Sequence, residues 1–149
     1  MKPVKLGYPI EILGATVSEV IVQRFATVDD LIIAGGDLDD DEIHLRVAAN
    51  LTGIAPQDFE RLDFEDIENI NDAIAALGKE QKTDFKKTLR RPTGRDILDL
   101  KKDWKVPGLV TVISRLSGAP EAEITALETS VFLTQVNKLM GFLGRRGKR

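Results

Sequence analysis

The sequence predicts an α+β fold that is mainly α-helical, in which an N-terminal β-hairpin is followed by two related helical units. Near the start, apolar residues alternate with polar or small ones, which is the period of a half-buried strand. Later segments carry apolar residues three or four positions apart, which is the period of an amphipathic helix. The region that follows Thr27 also resembles the region that follows Thr93, and this similarity predicts a tandem duplication.

The N-terminal hairpin is predicted from two runs of strand-forming residues. Apolar side chains occupy alternate positions from Val4 to Ile12, and a run rich in β-branched residues extends from Thr16 to Arg24. Gly14 lies between the two runs, and glycine favours a tight turn because it readily adopts positive φ. We therefore expect a hairpin that turns around residues 13–15.

The first helical unit begins with a helix-capping pattern. Thr27 precedes Asp30 by three residues, as in a capping box, and Gly35-Gly36 follows where this short helix should end. Later helices of the unit are expected over residues 41–51, 56–61 and 63–77.

The second unit repeats these signals. Thr93 and Asp96 form a second capping pattern, and Gly118 follows a predicted helix as Gly53 does in the first unit. Residues 85–91 are one possible strand, but they leave no room for a full hairpin, so the duplication is incomplete at its front. The remaining helices are expected over residues 107–116, 120–126 and about 132–143.

These patterns divide the chain linearly into two units of opposite charge. The predicted segments are an acidic first unit at 1–78, a polar joint at 79–83, a basic second unit at 84–143 and a flexible basic tail at 144–149. Residues 1–78 carry 5 basic and 16 acidic residues, whereas residues 79–149 carry 16 basic and 8 acidic ones. Such asymmetry indicates either a nucleic-acid-binding half or two faces that attract each other within or between chains. We favour mutual attraction, because the basic residues are spread along the second half.

No set of catalytic or metal-binding side chains emerges from the sequence. The chain has no cysteine and one histidine, His44, so neither a His-based triad nor a His/Cys metal site is expected, and we interpret His44 as a solvated surface residue. The acidic segment 37–41 begins like a calcium loop, but Ala48 stands where that loop needs a bidentate glutamate. We therefore predict a protein without enzymatic activity, cofactor or metal.

One alternative is a nucleic-acid-binding regulator, because residues 49–62 and their counterparts in the second copy approximate the spacing of a helix-turn-helix. The second helix of that motif would carry Asp58 and Glu60, or Glu121 and Glu123 in the second copy. These carboxylates would repel phosphate, so nucleic acid is not the favoured partner. A membrane is not expected either, since no apolar run approaches the roughly 20 residues needed to span a bilayer. Without cysteine or a secretory signal, the chain is expected to be cytoplasmic.

Short motifs along the chain follow a pattern that a known family shares. The motifs fall at Tyr8-Pro9, Gly14, Arg24–Asp30, Leu51–Gly53, Pro56–Asp58 and Leu62-Asp63. In this order they resemble the small tail assembly chaperones of contractile-tailed phages, whose pattern includes an Arg-Arg-Pro-x-x-x-Asp segment. The second copy matches that segment with Arg90-Arg91-Pro92 and Asp96, whereas the first copy has Phe25-Ala26 where Arg-Pro is typical. The resemblance covers residues 4–77 well and residues 85–143 in part.

The resemblance implies a non-enzymatic chaperone that acts in the host bacterial cytoplasm and is absent from the finished virion. It would bind the long helical tape measure protein, keep it soluble and help to recruit the tail tube protein. A structural tail component is a second alternative, and self-association through the oppositely charged halves is also open. The residues expected to form the partner surface, or the core beneath it, are Ile67, Ile70, Ile74, Phe132, Val136 and Leu139.

Overall fold

The computed structural model describes residues 1–81 and 84–147, which form two β-strands and eight α-helices. The strands are β1 (Lys2–Ile12) and β2 (Ala15–Val22). The helices are α1 (Val28–Ala34), α2 (Asp41–Thr52), α3 (Pro56–Phe59), α4 (Phe64–Gln81), α5 (Gly94–Lys102), α6 (Val106–Ser117), α7 (Glu121–Thr125) and α8 (Thr129–Gly147). This order confirms the predicted α+β class, mainly helical with an N-terminal hairpin.

The hairpin turns through two residues, Leu13 and Gly14, which connect the antiparallel strands β1 and β2. Both residues have positive φ, 51° for Leu13 and 80° for Gly14. Two-residue turns of this hand match the right-handed twist of the flanking strands, and they favour Asn-Gly because both central positions need positive φ. Leucine in the left-handed region is disfavoured by about 1–2 kcal/mol, and Leu13 is also fully exposed.

A bulge interrupts β1 and is held by a carboxylate from α4. The strand register shifts between Lys5 and Ile10. Within this stretch the backbone N–H groups of Gly7 and Tyr8 donate to the two carboxylate oxygens of Asp66, at 2.8 and 3.1 Å. Asp66 is buried, so these two bonds satisfy both a buried charge and two amides that have left the ladder.

The chain folds into two compact units. The first unit combines Met1–Ala26 with the chain from Asp39 through α4. One face of the hairpin packs on α2 and α4, and Phe59 and Ile70 are fully buried at this contact. The other buried members of this core are Val4, Leu6, Val20, Val22, Ala48, Ala49, Leu62, Ala73 and Leu77.

The second unit combines Thr27–Leu38 with the described chain from Asp84 onwards. Helix α1 packs against α6 and α7. The backbone N–H of Val28 donates to the Leu127 carbonyl at 3.0 Å, and that of Val106 donates to the Gly36 carbonyl at 2.7 Å. The linear division at residues 79–83 places α1 in the first unit, whereas packing places it in the second, because these bonds hold both ends of α1 against later segments.

The placement of α1 in the second unit changes the net charge of both packed units. The described part of the first unit carries 14 acidic and 6 basic residues, and that of the second carries 10 acidic and 12 basic residues. The difference between the packed units is smaller than that between the sequence halves, chiefly because α1 and its loop bring three aspartates to the second unit. Three basic residues, Lys82, Lys148 and Arg149, also lie outside the described residues and are not included in these counts.

The possible strand at residues 85–91 is wrong, because the chain from Asp84 to Thr93 has no regular secondary structure. Phe85 and Leu89 are nevertheless buried, and the Arg90 N–H donates to the Leu116 carbonyl at 3.0 Å. The apolar spacing of this segment therefore reflects the burial of Phe85 and Leu89, and no β-strand lies beside it among the described residues.

Two helices extend further than the sequence predicts. Residues 79–81 of the predicted joint continue α4, and residues 144–147 of the predicted flexible tail continue α8. Polar composition at these places therefore does not end the helices. The remaining predicted joint residues, 82–83, and tail residues, 148–149, lie outside the described residues.

Candidate functional site

An open groove of about 930 Å³ lies on the first unit, between β2 and the turn that joins α2 to α3. Apolar side chains from both hairpin ends contribute to it, and polar side chains from β2 and α3 line the rest. Its lining residues are Met1, Ile12, Leu13, Val17, Glu19, Val20, Ile21, Gln23, Arg24, Thr52, Gly53, Ile54, Ala55 and Asp58.

Backbone hydrogen bonds fix the two walls of this groove relative to each other. Gly53 ends α2 in the left-handed conformation with φ of 73°, and the next residue, Ile54, donates its N–H to the Ala49 carbonyl at 3.2 Å. The Gln23 N–H donates to the Leu51 carbonyl at 3.0 Å, which ties the end of β2 to the end of α2. The groove is therefore preformed and does not depend on a bound partner for its shape.

Several large apolar side chains of the groove lining are exposed. Met1 is 86% exposed, Leu13 102% and Ile21 47%. Single exposed apolar residues are ordinary on protein surfaces, but several that line one concave region indicate a binding site.

One charged side chain connects the helical wall to the hairpin. The guanidinium of Arg61 donates to the Asp58 carboxylate at 3.0 Å and to the Glu11 carbonyl at 2.7 Å. Arg61 is half exposed, so the ion pair itself adds little stability, but the second bond holds the hairpin near the end of α3.

The residues predicted to form a partner surface lie mostly in the cores of the two units. Ile70, Phe132 and Leu139 have no exposed surface, and Val136 is buried. The other two predicted residues, Ile67 and Ile74, are partly buried and pack against the core of the first unit. The stripe therefore serves the core in this structure, and a role in partner binding stays a prediction.

Sequence reasoning did not identify the groove. Its exposed apolar residues belong to a hairpin whose alternation predicted burial, and the turn residue Leu13 carries no periodic signal. The one available signal was Leu13, a leucine at a turn position where asparagine is preferred. Residues held in a disfavoured backbone conformation often serve a function, so this position could have indicated the site.

The second unit contains a buried ionic cluster around Asp96, which is 1% exposed. Its carboxylate accepts hydrogen bonds from the Arg90 guanidinium at 3.0 Å and from the Arg115 guanidinium at 2.9 Å. It also accepts from the Thr93 N–H at 2.8 Å, which completes the predicted helix cap. Arg115 pairs in addition with Asp99 at 2.8 Å.

Burial by itself raises the pKa of the Asp96 carboxyl. The hydrogen bonds from the Thr93 backbone, Arg115 and Arg90 outweigh burial and hold that pKa well below its usual range. A carboxylate with several donors at hydrogen-bonding distance is suited to organising structure and has little capacity left for proton transfer. The cluster therefore explains the Arg-Arg-Pro-x-x-x-Asp motif as a structural device that joins α5 to α6.

The described residues hold no group of three or more His, Asp or Glu side chains that could bind a metal ion. His44 is exposed, as predicted for a solvated residue. None of the helices in the described ranges is long and apolar enough to cross a membrane.

The helix-turn-helix alternative finds little support in the geometry. Helix α3, which would enter the major groove, spans only Pro56–Phe59, and its counterpart α7 spans Glu121–Thr125. A recognition helix needs enough length to present several side chains to base edges. Both helices also carry acidic residues in their first turn.

Comparison with known proteins identifies the family. Residues 3–78, just over half of the chain, match the profile of the family described as phage tail assembly chaperone proteins, E, or 41 or 14. The chain therefore belongs to the phage tail assembly chaperone family, which is not an enzyme family. No curated protein and no solved structure matched the chain. The tandem duplication stays a prediction, since the profile match ends at residue 78.

Proposed function

We propose that this protein chaperones tail assembly by binding the tape measure protein in the host bacterial cytoplasm, without catalysis. The observation that carries the proposal is that the family match over residues 3–78 includes every lining residue of the preformed apolar groove except Met1. Membership of the family supports protein partners in tail assembly, and the groove is the exposed feature best suited to an apolar client.

The physical requirement on such a chaperone is reversible cover for apolar surface. A tape measure protein is long and helical, and apolar stripes on its unassembled chain would aggregate. Burying a large apolar side chain contributes about 1.5–3 kcal/mol, so contacts through Leu13 and Ile21 support binding of moderate strength. Moderate affinity suits a chaperone that tube polymerisation must displace, and several copies along one client would raise the total avidity.

Recruitment of the tail tube protein and self-association are further parts of the proposal. The −8 balance of the described first unit favours a basic partner surface, whether on a client or on another copy. Attraction of this kind weakens with added salt, because exposed charges are screened over about 8–10 Å at physiological ionic strength.

The test is co-expression of this chain with the tape measure protein encoded by the same phage, followed by affinity capture and size-exclusion chromatography. We expect a complex that stays in the soluble fraction, and tape measure protein that becomes insoluble when this chain is omitted. Absence of co-elution, with the tape measure protein equally soluble alone, would contradict the proposal. A chain found in purified virions would instead favour a structural tail component.

A further inference from the structure

We propose that the outer edge of β2 takes an extended, basic segment of the tape measure protein as an added β-strand that lies in the groove. This inference rests on the proposed function and specifies how the client is held. It follows from a difference between the two edges of the hairpin, from the geometry of the groove, from the conformation of Leu13 and from the charge of the first unit.

The β1 edge carries the features that prevent strand addition. Pro3 and Pro9 have no backbone N–H to donate, and Lys5 lies between them. The bulge removes the Gly7 and Tyr8 amides from the ladder and directs them to Asp66. Prolines, lysines and bulges are the devices by which natural edge strands avoid pairing with other chains.

The β2 edge carries none of these devices. Its eight residues, Ala15–Val22, include no proline, lysine or arginine, and five of them are Val, Ile or Thr. In the described part of the chain the sheet contains two strands, so β2 has a strand neighbour on one side only. An unprotected edge of this length and composition is a template for strand addition.

The groove follows this edge. Val17, Glu19, Val20 and Ile21 of β2 line one side, and the turn at residues 53–55 lines the other. Strands pair at a spacing of about 4.8 Å, and their side chains alternate between two faces. An added strand would therefore place every second side chain over the apolar floor of the groove while its backbone bonds to β2.

The turn residue Leu13 also contributes to this surface, although its backbone conformation is strained. Leu13 adopts φ of 51°, which asparagine or glycine would adopt with less strain, and its side chain lies fully in solvent while it lines the groove. A strained and exposed leucine stabilises neither the turn nor the core. Contact with a bound segment would give that side chain a function.

Charge decides in favour of a basic segment. The described part of the first unit carries a balance of −8. The groove wall contains Arg24 besides Glu19 and Asp58. Asp58 is paired with Arg61, so the preference comes from the charge of the unit as a whole. Lysine or arginine side chains on the added segment would be attracted to this unit, whereas an acidic segment would be repelled.

Two substitutions separate binding from folding. Leu13→Asn creates an Asn-Gly turn, so we expect a higher Tm together with roughly five- to tenfold weaker capture of the tape measure protein. Ile21→Lys places a lysine on the unprotected edge, and we expect at least about tenfold weaker capture. The matched control is Leu98→Lys on α5, where the leucine is 50% exposed and lies outside the groove, and capture should be unchanged.

Amide hydrogen exchange of the co-expressed complex, compared with the chain alone, tests the mode of binding. Slower exchange of amides in Ala15–Val22, together with the expected variant effects, would support strand addition. A complex that forms with unchanged exchange in β2 would overturn it and leave the chaperone proposal intact, as for a client bound as a helix. Slower exchange in the chain alone as its concentration rises would assign the edge to a second copy and also overturn it. Failure to form any complex would contradict both proposals.

Discussion

The two units of this protein contain similar series of helices, but the elements that pack against these helices differ. In the first unit α2, α3 and α4 pack beneath a hairpin, and in the second α6, α7 and α8 pack with α1 and α5. The helices α2 and α6 each have 12 residues and each end at a glycine with φ near 75°. Matching local signals thus gave matching helices, while the elements that cover those helices differ.

This difference has consequences for surface chemistry. The hairpin gives the first unit an unprotected strand edge and an exposed apolar groove. The second unit holds its additional helices through a buried carboxylate with two guanidinium partners. The first unit is accordingly the one in which we propose client binding, whereas in the second a similar helical series is held by charge.

The largest expected effect compares the core residues Phe59 and Ile124, which lie three residues before Leu62 and Leu127 and are both fully buried. Phe59→Ala should lower the free energy of unfolding by about 3–5 kcal/mol and Ile124→Ala by about 2–4 kcal/mol, because each leaves a cavity. Urea denaturation followed by circular dichroism measures both values. A loss below about 1 kcal/mol at either position would contradict our inference that Phe59 and Ile124 occupy equivalent core positions.

The ionic cluster gives the next largest effect. Asp96→Ala should lower the free energy of unfolding by about 2–3 kcal/mol, since it leaves two guanidinium groups without their shared carboxylate. The value is at the lower end for a buried pair because both arginines are partly exposed. Asp99→Asn is the control and should change stability by less than about 1 kcal/mol. Equal losses for the two variants would contradict the special role of Asp96.

The same cluster predicts a pH dependence with a definite sign. The folded-state pKa of Asp96 is lowered from the ordinary value of 3.8, so its contribution is present above that value and is lost as pH falls below it. The stability difference between the native chain and Asp96→Asn should therefore shrink as pH falls from about 5 to 3. A constant difference across this range would show that the carboxylate is not preferentially ionised in the folded state.

A buried polar residue in the second unit gives a smaller effect, and its replacement should raise the free energy of unfolding. Gln135 lies eight residues after Leu127, as Ile70 lies eight residues after Leu62. Gln135 is buried, and its Oε1 atom has no hydrogen-bond partner among the described residues. Gln135→Leu should raise the free energy of unfolding by about 1–2 kcal/mol, because it removes an unsatisfied buried acceptor. Thermal denaturation checks this, and a lower Tm would indicate that the amide has a partner in solution.

The smallest effects concern the glycines that end α2 and α6. Gly53→Ala and Gly118→Ala should each cost about 1 kcal/mol, because both residues have φ near 75°. Gly141→Ala, within α8, should be stabilising by about 0.5–1 kcal/mol, since alanine is favoured inside helices and no atom obstructs its β-carbon. Thermal denaturation of the three variants gives the comparison, and equal signs would contradict it.

Sequence alone determined the elements whose signals are local. The alternation of residues 4–12, the capping pattern at Thr27 and the glycines after α2 and α6 each act within a few residues, so the hairpin and most helices were predicted correctly. The motif pattern also indicated the family that the profile match confirms, because short motifs can be read directly from the sequence.

Tertiary structure decided what each element packs against. Periodicity shows that a stripe is apolar but not which surface covers it, so Ile70, Phe132 and Leu139 could be identified as buried only from the packing. The placement of α1 with the second unit depends on hydrogen bonds to Leu127 and Val106, which lie far away in sequence. The groove depends on the meeting of β2 with the α2–α3 turn, a long-range contact for which the sequence carries no periodic signal.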